Sequence, residues 1–237
     1  MHGLYGAPAG FLQRLMFMVL LATAAASAWA SPRPVDSQAT VLVLGDSLSA
    51  GYGLANGQGW VALTAARLPA SKPGWKLVNA SISGETSAGG AARIDAELAR
   101  HHPRVLVLAL GANDGLRGLP LTQMRANLER IIVAAQHSGA RVLLVGMRMP
   151  PNLGGKYTRG FEACFSALAT QYHTAFLPFL LAPVAADRKN FQDDGLHPIA
   201  AVQPKLRDHV WAQLGPLLSA KLAAPPPPAR AAKRSGG

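Results

Sequence analysis

Short apolar runs alternate along this chain with segments whose apolar residues recur at helical spacing. The first run, at residues 41–44, contains two valines and two leucines and leads into a Gly-Asp-Ser turn. The clearest helical segment is at residues 121–135, where apolar side chains return every three or four positions. Alternation of strand and helix signals is typical of a parallel sheet that is covered by helices on both faces. No other feature of the sequence restricts the fold as strongly.

The strand and helix signals follow one another in a regular order. We expect strands at residues 40–44, 76–79, 105–110, 141–146 and 175–178. We expect helices at residues 60–68, 91–98, 121–135, 158–173 and 200–218. The last helix is expected to be interrupted near Pro204 and at Gly215-Pro216. This order predicts an α/β fold, a three-layer α/β/α sandwich of the flavodoxin-like kind around a five-stranded parallel sheet.

A serine follows the first predicted strand, in the turn that contains Asp46, Ser47 and Leu48. Open α/β sheets bind their ligands at the carboxyl ends of their strands. A serine hydroxyl becomes a good nucleophile when a neighbouring base takes its proton. Gly, Asp and Ser are also common turn residues, so the same stretch is equally typical of a helix cap. For Asp46, a cap is the favoured interpretation.

A candidate base lies far downstream, in the segment 194–197. Asp194 precedes His197 by three residues, so one short turn can bring the carboxylate to the imidazole. Such a carboxylate fixes the tautomer of the ring and stabilises its charged form. Asp193 is a rival for this role because it lies beside Asp194. Taken alone, His197 before Pro198 is more typical of a loop histidine without a catalytic role.

Two further turns after apolar stretches carry hydrogen-bond donors. Residues 78–86 contain Gly84, whose backbone N–H is open to close approach. Residues 105–115 are a buried type of strand followed by Asn113, whose side-chain amide can donate. The tetrahedral intermediate of acyl transfer carries a negative oxygen, and one preorganised donor lowers the barrier by roughly 3–4 kcal/mol. The chain therefore carries every type of group that serine-based acyl transfer uses.

The order Ser47, Gly84, Asn113, His197 resembles the SGNH (GDSL) hydrolase family, whose four sequence blocks supply these four residue types. The chain is most similar to the branch of multifunctional thioesterase I, protease I and lysophospholipase L1, which includes arylesterases. The similarity spans about residues 39–218 and is carried by the stretches 44–53, 79–87, 113–118 and 192–198.

The resemblance implies a role for each of these residues. Ser47 is the expected nucleophile, His197 the base and Asp194 its partner. The backbone N–H groups of Ser47 and Gly84 and the side chain of Asn113 are expected to form the oxyanion hole.

The resemblance also implies an activity. We expect a serine esterase that cleaves carboxylic esters and thioesters of acyl chains, or lysophospholipids, through an acyl-enzyme on Ser47. Such chemistry uses no cofactor and no metal. Two other classes remain open. A carbohydrate acetylesterase of the envelope would prefer short acyl groups and have a polar groove, and a non-catalytic envelope-binding module would keep the fold without turnover.

Apolar residues flank the turns that carry these groups. They are expected either to line a groove for the acyl chain of a small-molecule substrate or to pack in the ordinary way. The residues are Leu48, Leu116, Met147, Met149, Pro150 and Leu196.

The first 30 residues have the composition of a secretory signal peptide. Residues 15–24 are an apolar core that is too short to span a bilayer comfortably. Ala28 and Ala30 are small residues at positions minus three and minus one of a cleavage site before Ser31. We therefore expect a bacterial periplasmic or secreted protein, with an uncleaved membrane anchor as the alternative.

Cys164 is the only cysteine, so the chain forms no internal disulfide and depends on a buried core. Residues 31–220 are long enough for one hydrolase domain. Because Cys164 lies among Phe161, Phe165 and Leu168, we expect a packed thiol rather than a second nucleophile.

The formal net charge of +11 does not indicate a nucleic-acid partner, because basic residues are scattered until the end of the chain. Residues 221–237 combine a run of prolines with basic residues and no acid, which predicts a disordered tail. The tail is expected to be either a solvated extension or a weak contact with anionic lipid or envelope polymer. His101-His102 lacks matching ligands, so no metal site is predicted, and a monomer is the default.

Overall fold

A computed structural model describes residues 38–219 of the chain. Within this range one sheet has the strand order β2-β1-β3-β4-β5, and every neighbouring pair is parallel. The strands are β1 Ala39–Gly45, β2 Trp75–Asn79, β3 Val105–Ala109, β4 Arg141–Val145 and β5 Ala175–Leu177. All five predicted strands are confirmed, and none of their ends moves by more than one residue.

The described helices include all of the long ones that the sequence predicts. They are α1 Ser47–Ala50, α2 Trp60–Ser71, α3 Ser87–His101, α4 Ala112–Leu116, α5 Leu121–His137, α6 Gly155–Gln171 and α7 Gln203–Ser219. Short 3₁₀ turns lie at Pro151–Leu153, Arg188–Asn190 and Ala200–Val202. The sequence did not predict α1 and α4, because helices of four and five residues are too short to show a period.

The two faces of the sheet carry separate parts of the core. In β1, Leu42 and Leu44 pack with α3, α5 and α6, whereas Val41 and Val43 pack with α2 and α7. This alternation arises because successive side chains of a strand point to opposite faces. The three-layer α/β/α sandwich that the sequence predicts is therefore confirmed, and its central strands are apolar on both faces.

One prediction about α7 is wrong. The helix does not break at Gly215-Pro216 but continues to Ser219. Pro216 removes one helical hydrogen bond, at a cost of about 3 kcal/mol. Leu214 and Leu218 are buried on either side of it, and each contributes about 2 kcal/mol, so packing outweighs the lost bond. The break expected near Pro204 corresponds to the change from a 3₁₀ turn to the α-helix, which begins at Gln203.

The strand order creates a crevice at the carboxyl ends of β1 and β3. The chain runs from β1 outward to β2 and then returns to β3 on the other side of β1. Gly45 at the end of β1 pairs with Ala109 at the end of β3. At such a switch point the following loops diverge and leave room for a ligand. The turns that carry Ser47 and Asn113 leave the sheet at this place.

The predicted signal peptide, residues 1–30, and the predicted tail, residues 221–237, lie outside the described residues. Between residues 38 and 219, no helix has the length and apolar character that crossing a membrane requires. Cys164 lies half-buried in α6 against the core, and burial raises the pKa of its thiol. This environment agrees with the predicted packed thiol.

Candidate active site

Ser47 is the first residue of α1 and follows β1 after a single intervening residue. That residue, Asp46, is buried and caps the helix, because its carboxylate accepts a hydrogen bond of 3.0 Å from the N–H of Leu48. Gly45 is required here, because a Cβ at this position would lie 2.7 Å from Cβ of Ser49. Asp46 thus has the capping contact that the sequence favoured, and the short helix fixes the position of the serine.

His197 reaches the serine from a loop near the other end of the described chain. The loop is closed by an antiparallel bridge between Phe191 and Pro198 and by a 2.8 Å bond from Gln192 N–H to the carbonyl of His197. The imidazole Nε2 lies 2.8 Å from Oγ of Ser47, and Nδ1 lies 2.6 Å from Oδ2 of Asp194. The three side chains form one chain of hydrogen bonds.

Asp194 is held in its ionised form. Its Oδ1 accepts backbone hydrogen bonds from His197 at 3.0 Å and Leu196 at 2.8 Å. These bonds, with the contact to the imidazole, lower the pKa of Asp194 to about 2. A carboxylate can only accept, so the imidazole proton lies on Nδ1 and Nε2 is free to accept from Ser47. Within residues 38–219, the neighbouring Asp193 takes part only through its backbone carbonyl, which accepts from Arg188 at 2.8 Å.

The two predicted oxyanion donors lie in adjoining loops. Nδ2 of Asn113, in α4, donates to the carbonyl of Glu85 at 3.0 Å. Gly84, the residue before Glu85, has a φ of +80°, a conformation that favours glycine. In the described part of the chain, neither the N–H of Gly84 nor that of Ser47 donates a hydrogen bond to another residue.

Asp114 holds α4 in place from inside the protein. Its carboxylate accepts from the N–H of Ser87 at 2.8 Å and from the Ser87 hydroxyl at 2.6 Å. The hydroxyl accepts in turn from Nδ2 of Asn127 at 3.0 Å. Asp114 is therefore a partner for the first turn of α3. This network fixes the backbone that carries Asn113.

Several residues around the site were missed by the sequence analysis. The ring of Tyr52 lies over His197, with 4.6 Å between centroids. Gln192 donates to the carbonyl of Tyr52 at 3.0 Å, and a Cβ on Gly53 would collide with its amide. Nε1 of Trp60 donates to the carbonyl of Leu48 at 3.1 Å. The signal for these contacts was the position of Tyr52 and Gly53 within the stretch 44–53 and of Gln192 within the stretch 192–198.

A cavity of about 410 Å³ opens beside the serine and the imidazole. All six apolar residues that the sequence proposed for substrate contact line it, together with Ser47, Asn113 and His197. Leu116 and Leu196 are exposed at the cavity, whereas Met149 is 7% exposed and also belongs to the core. The further lining residues are Asp46, Ala112, Arg148, Phe179, Leu181, Ala185, Phe191 and Gly195. The space is large enough for a small acyl compound and mostly apolar.

Comparison with known proteins identifies the family. The model of the GDSL-like Lipase/Acylhydrolase family matches residues 43–203. This range includes all three hydrogen-bonded residues, Ser47, Asp194 and His197. The protein is a GDSL-like lipase/acylhydrolase.

Relatives of this GDSL hydrolase are named as esterases. It is 48% identical to Esterase TesA of Pseudomonas aeruginosa over 76% of this chain and 89% of the relative. It is 38% identical to Thioesterase 1/protease 1/lysophospholipase L1 of Escherichia coli K12 over 86% of this chain and 92% of the relative. The crystal structure of TesA superposes with a TM-score of 0.73 and 47% identity, covering 75% of this chain and 99% of the other. The GDSL hydrolase is accordingly a serine esterase that cleaves ester bonds of small molecules.

Proposed function

We propose that Ser47, His197 and Asp194 are the nucleophile, the base and the orienting acid of this esterase. The observation that carries the proposal is the imidazole of His197, which bridges the other two side chains at 2.8 and 2.6 Å. Both distances are those of hydrogen bonds along which a proton can move.

The reaction begins when Oγ of Ser47 attacks the substrate carbonyl and Nε2 of His197 takes its proton. The resulting imidazolium is stabilised by the ionised carboxylate of Asp194. As the tetrahedral intermediate collapses, the bond to the alcohol or thiol breaks and the imidazolium protonates that leaving group. Water then attacks the acyl-serine while His197 accepts its proton, and the acid is released as the proton returns to Oγ.

The oxyanion of each tetrahedral intermediate is bound by the N–H groups of Ser47 and Gly84 and by the amide of Asn113. The free state of the two backbone N–H groups within residues 38–219 supports this role. Asn113 uses one of its amide hydrogens on Glu85, so the second remains for the substrate.

The acyl chain occupies the cavity lined by Leu48, Leu116, Met147 and Leu196, together with Met149 and Pro150. Because this lining is mostly apolar, it supports acyl chains of several carbons over the acetyl group of a carbohydrate ester. The named activities of the relatives support esters, thioesters and lysophospholipids as substrates. Flexible methionine and leucine side chains accommodate acyl groups of different length.

The function is tested with a fluorophosphonate probe and a series of acyl esters and thioesters of increasing length. We expect labelling of wild-type protein, no labelling of Ser47→Ala, and a higher kcat/KM for medium acyl chains than for acetyl. Labelling that persists in Ser47→Ala would contradict the proposed nucleophile. A strong preference for acetyl would instead favour the acetylesterase, and absence of any turnover would favour the binding module.

We also propose that the enzyme acts in the periplasm or outside the cell, after cleavage of residues 1–30. The composition of residues 15–24 and the small residues Ala28 and Ala30 support export. In that compartment lysophospholipids and exogenous esters are better candidates than acyl-coenzyme A, which is cytoplasmic. The mature enzyme would then comprise the hydrolase domain at 31–220, as a monomer, and the basic tail at 221–237. N-terminal sequencing of the exported protein tests the cleavage before Ser31.

A further inference from the structure

One cation lies in the cavity wall without a role in the proposed mechanism. The charged or titratable residues that line this cavity are Asp46, Arg148 and His197. Asp46 caps the serine helix and His197 is the base, so Arg148 is the one that remains. Most of its neighbours in the wall are apolar. Attraction of an arginine for an anion is stronger against an apolar wall than in open water.

The guanidinium of Arg148 contacts Phe179 through its face and Glu162 through its Nε edge. Its carbon lies 5.2 Å from the ring centroid of Phe179, which also lines the cavity. Its Nε lies 3.2 Å from Oε2 of Glu162, in α6. Within residues 38–219, its two terminal nitrogens form no hydrogen bond to another residue. The side chain is 56% exposed, so those nitrogens are open to a ligand.

We propose that Arg148 is a phosphate subsite, which binds the phosphate group of an anionic acyl substrate while its ester or thioester bond reaches Ser47. This inference rests on the proposed function of Ser47. The planar fork of arginine donates two parallel hydrogen bonds to one phosphate, and contacts at Nε and at the ring face hold the fork in place. The subsite would make the enzyme prefer lysophospholipids, or other acyl compounds that carry phosphate, over neutral esters.

Glu162 limits the strength of this subsite. Its carboxylate orients the guanidinium but also neutralises part of its charge. Both side chains are largely exposed, at 56% and 43%, so solvent weakens the pair and a phosphate can compete with it. Glu162→Gln should therefore strengthen the subsite, whereas Arg148→Gln should remove it.

Two matched pairs of substrates separate the phosphate from the rest of the molecule. Lauroyl lysophosphatidic acid and monolauroylglycerol differ only by the phosphate of a lipid headgroup. The lauroyl thioesters of 4′-phosphopantetheine and of pantetheine differ only by the phosphate of an acyl-carrier thiol. For each pair the measurement is the ratio of kcat/KM, anionic over neutral, at concentrations below those at which the lipids aggregate.

In Arg148→Gln we expect this ratio to fall about 10-fold or more, mainly through KM, and in Arg148→Lys by less, because lysine keeps the charge without the fork. Glu162→Gln should raise the ratio. The matched control is Arg130→Gln, because Arg130 is also an exposed arginine paired with a carboxylate, Asp95, at 3.1 Å, but is not among the residues that line the cavity. A fall confined to the lipid pair would identify a lipid headgroup as the source of the phosphate. A fall confined to the thioester pair would identify the thiol part of the substrate as its source.

Two results would overturn the subsite. One is an equal fall in Arg148→Gln and Arg130→Gln, which would mean that only the total charge matters. The other is an equal loss of kcat/KM on anionic and neutral substrates, which would make Arg148 a structural part of the cavity. Hydrolysis of the neutral esters by wild-type protein, lost in Ser47→Ala, tests the proposed function separately from Arg148.

Discussion

The imidazole of His197 has a different kind of neighbour on each side. Asp194 accepts from one nitrogen, Ser47 donates to the other, and the ring of Tyr52 covers one face at 4.6 Å. Because two backbone N–H groups hold Asp194 ionised, its carboxylate is available to accept the hydrogen on Nδ1 of His197. The orientation of the base therefore depends on one carboxylate.

This dependence predicts a contrast between two neighbouring acids. Asp194→Asn should lower kcat by about 10³- to 10⁴-fold, because an amide permits the wrong tautomer of His197. Asp193→Asn is the matched control and should change kcat by less than about twofold, because among the described residues Asp193 is bound through its backbone alone. The measurement is ester hydrolysis at pH 8. The reverse pattern would assign the acid to Asp193.

The buried carboxyl group of Asp46 is expected to affect the stability of the folded protein rather than the orientation of His197. Burial raises the pKa of Asp46 to about 6, although hydrogen bonds from the backbone, first that of Leu48, and the charge of His197 lower it. A carboxyl whose pKa is raised on folding favours the folded state only while it is protonated. Between the unfolded value of 3.8 and about 6, rising pH therefore removes stability, by about 3 kcal/mol in total.

Asp46→Asn should remove this part of the pH dependence. The amide oxygen can still accept from Leu48, so the cap remains while the buried charge is lost. We expect Tm of the variant to exceed that of wild type more at pH 8 than at pH 4. Asp46→Ala is the control. Its side chain has no acceptor for the N–H of Leu48, so it should be less stable than Asp46→Asn at both pH values. If Tm changed with pH in the same way in wild type and in Asp46→Asn, ionisation of Asp46 would not lower the stability of the fold, and the prediction would be wrong.

At the scale of elements, α3 holds the loop that carries Gly84. Arg93 in this helix binds the carboxylate of Glu85 with Nε at 2.8 Å and Nη2 at 2.5 Å, and Nη2 also donates to the carbonyl of Ala80. The two ends of the loop are thus tied to one guanidinium. Because the carbonyl of Glu85 accepts from Asn113, the same pair positions two of the proposed oxyanion donors.

Arg93→Met should therefore lower kcat about 10- to 100-fold with little change in KM, because the donors act mainly on the tetrahedral intermediate. It should also cost about 3 kcal/mol of stability, because the side chain of Glu85, 7% exposed, loses its partner. The double variant with Glu85→Met removes the unpaired charge and should regain stability but not kcat. Recovery of both together would mean that Arg93 acts only through folding.

Strands, helices and the contacts between distant residues differed in how well the sequence predicted them. The strands were predictable because buried parallel strands are runs of apolar residues, as in Val105–Ala109. The break in α7 was predicted wrongly, because the rule for proline contains no information on the burial of Leu214 and Leu218. Contacts such as Tyr52 on His197 were not predictable, because residues 145 positions apart meet only through the tertiary fold.

For the whole molecule, positive charge is the property that most affects encounters with other surfaces. The formal net charge is +11, and the tail at 221–237 adds Lys221, Arg230, Lys233 and Arg234 to the domain. We propose that this tail attracts the enzyme weakly to anionic lipid. Each basic side chain near such a surface contributes about 1 kcal/mol, reduced by salt.

Deletion of residues 221–237 should weaken binding to vesicles that contain phosphatidylglycerol by about 10²- to 10³-fold at low salt. Binding to neutral vesicles and turnover of a short soluble ester should not change. The control keeps the length of the tail and replaces its four basic residues by glutamine, which should have the same effect as the deletion. Equal vesicle binding by all three proteins would assign the tail no role at this surface.

Ser47 and His197 are separated by 150 positions in the chain, and that separation has a consequence during synthesis. The serine leaves the ribosome early, while the imidazole is still untranslated. Until the late loop is made and docks, the polypeptide carries an inert alcohol that cannot attack the esters and thioesters around it. A product that terminates before this loop has the serine but not the base, so it cannot carry out the reaction.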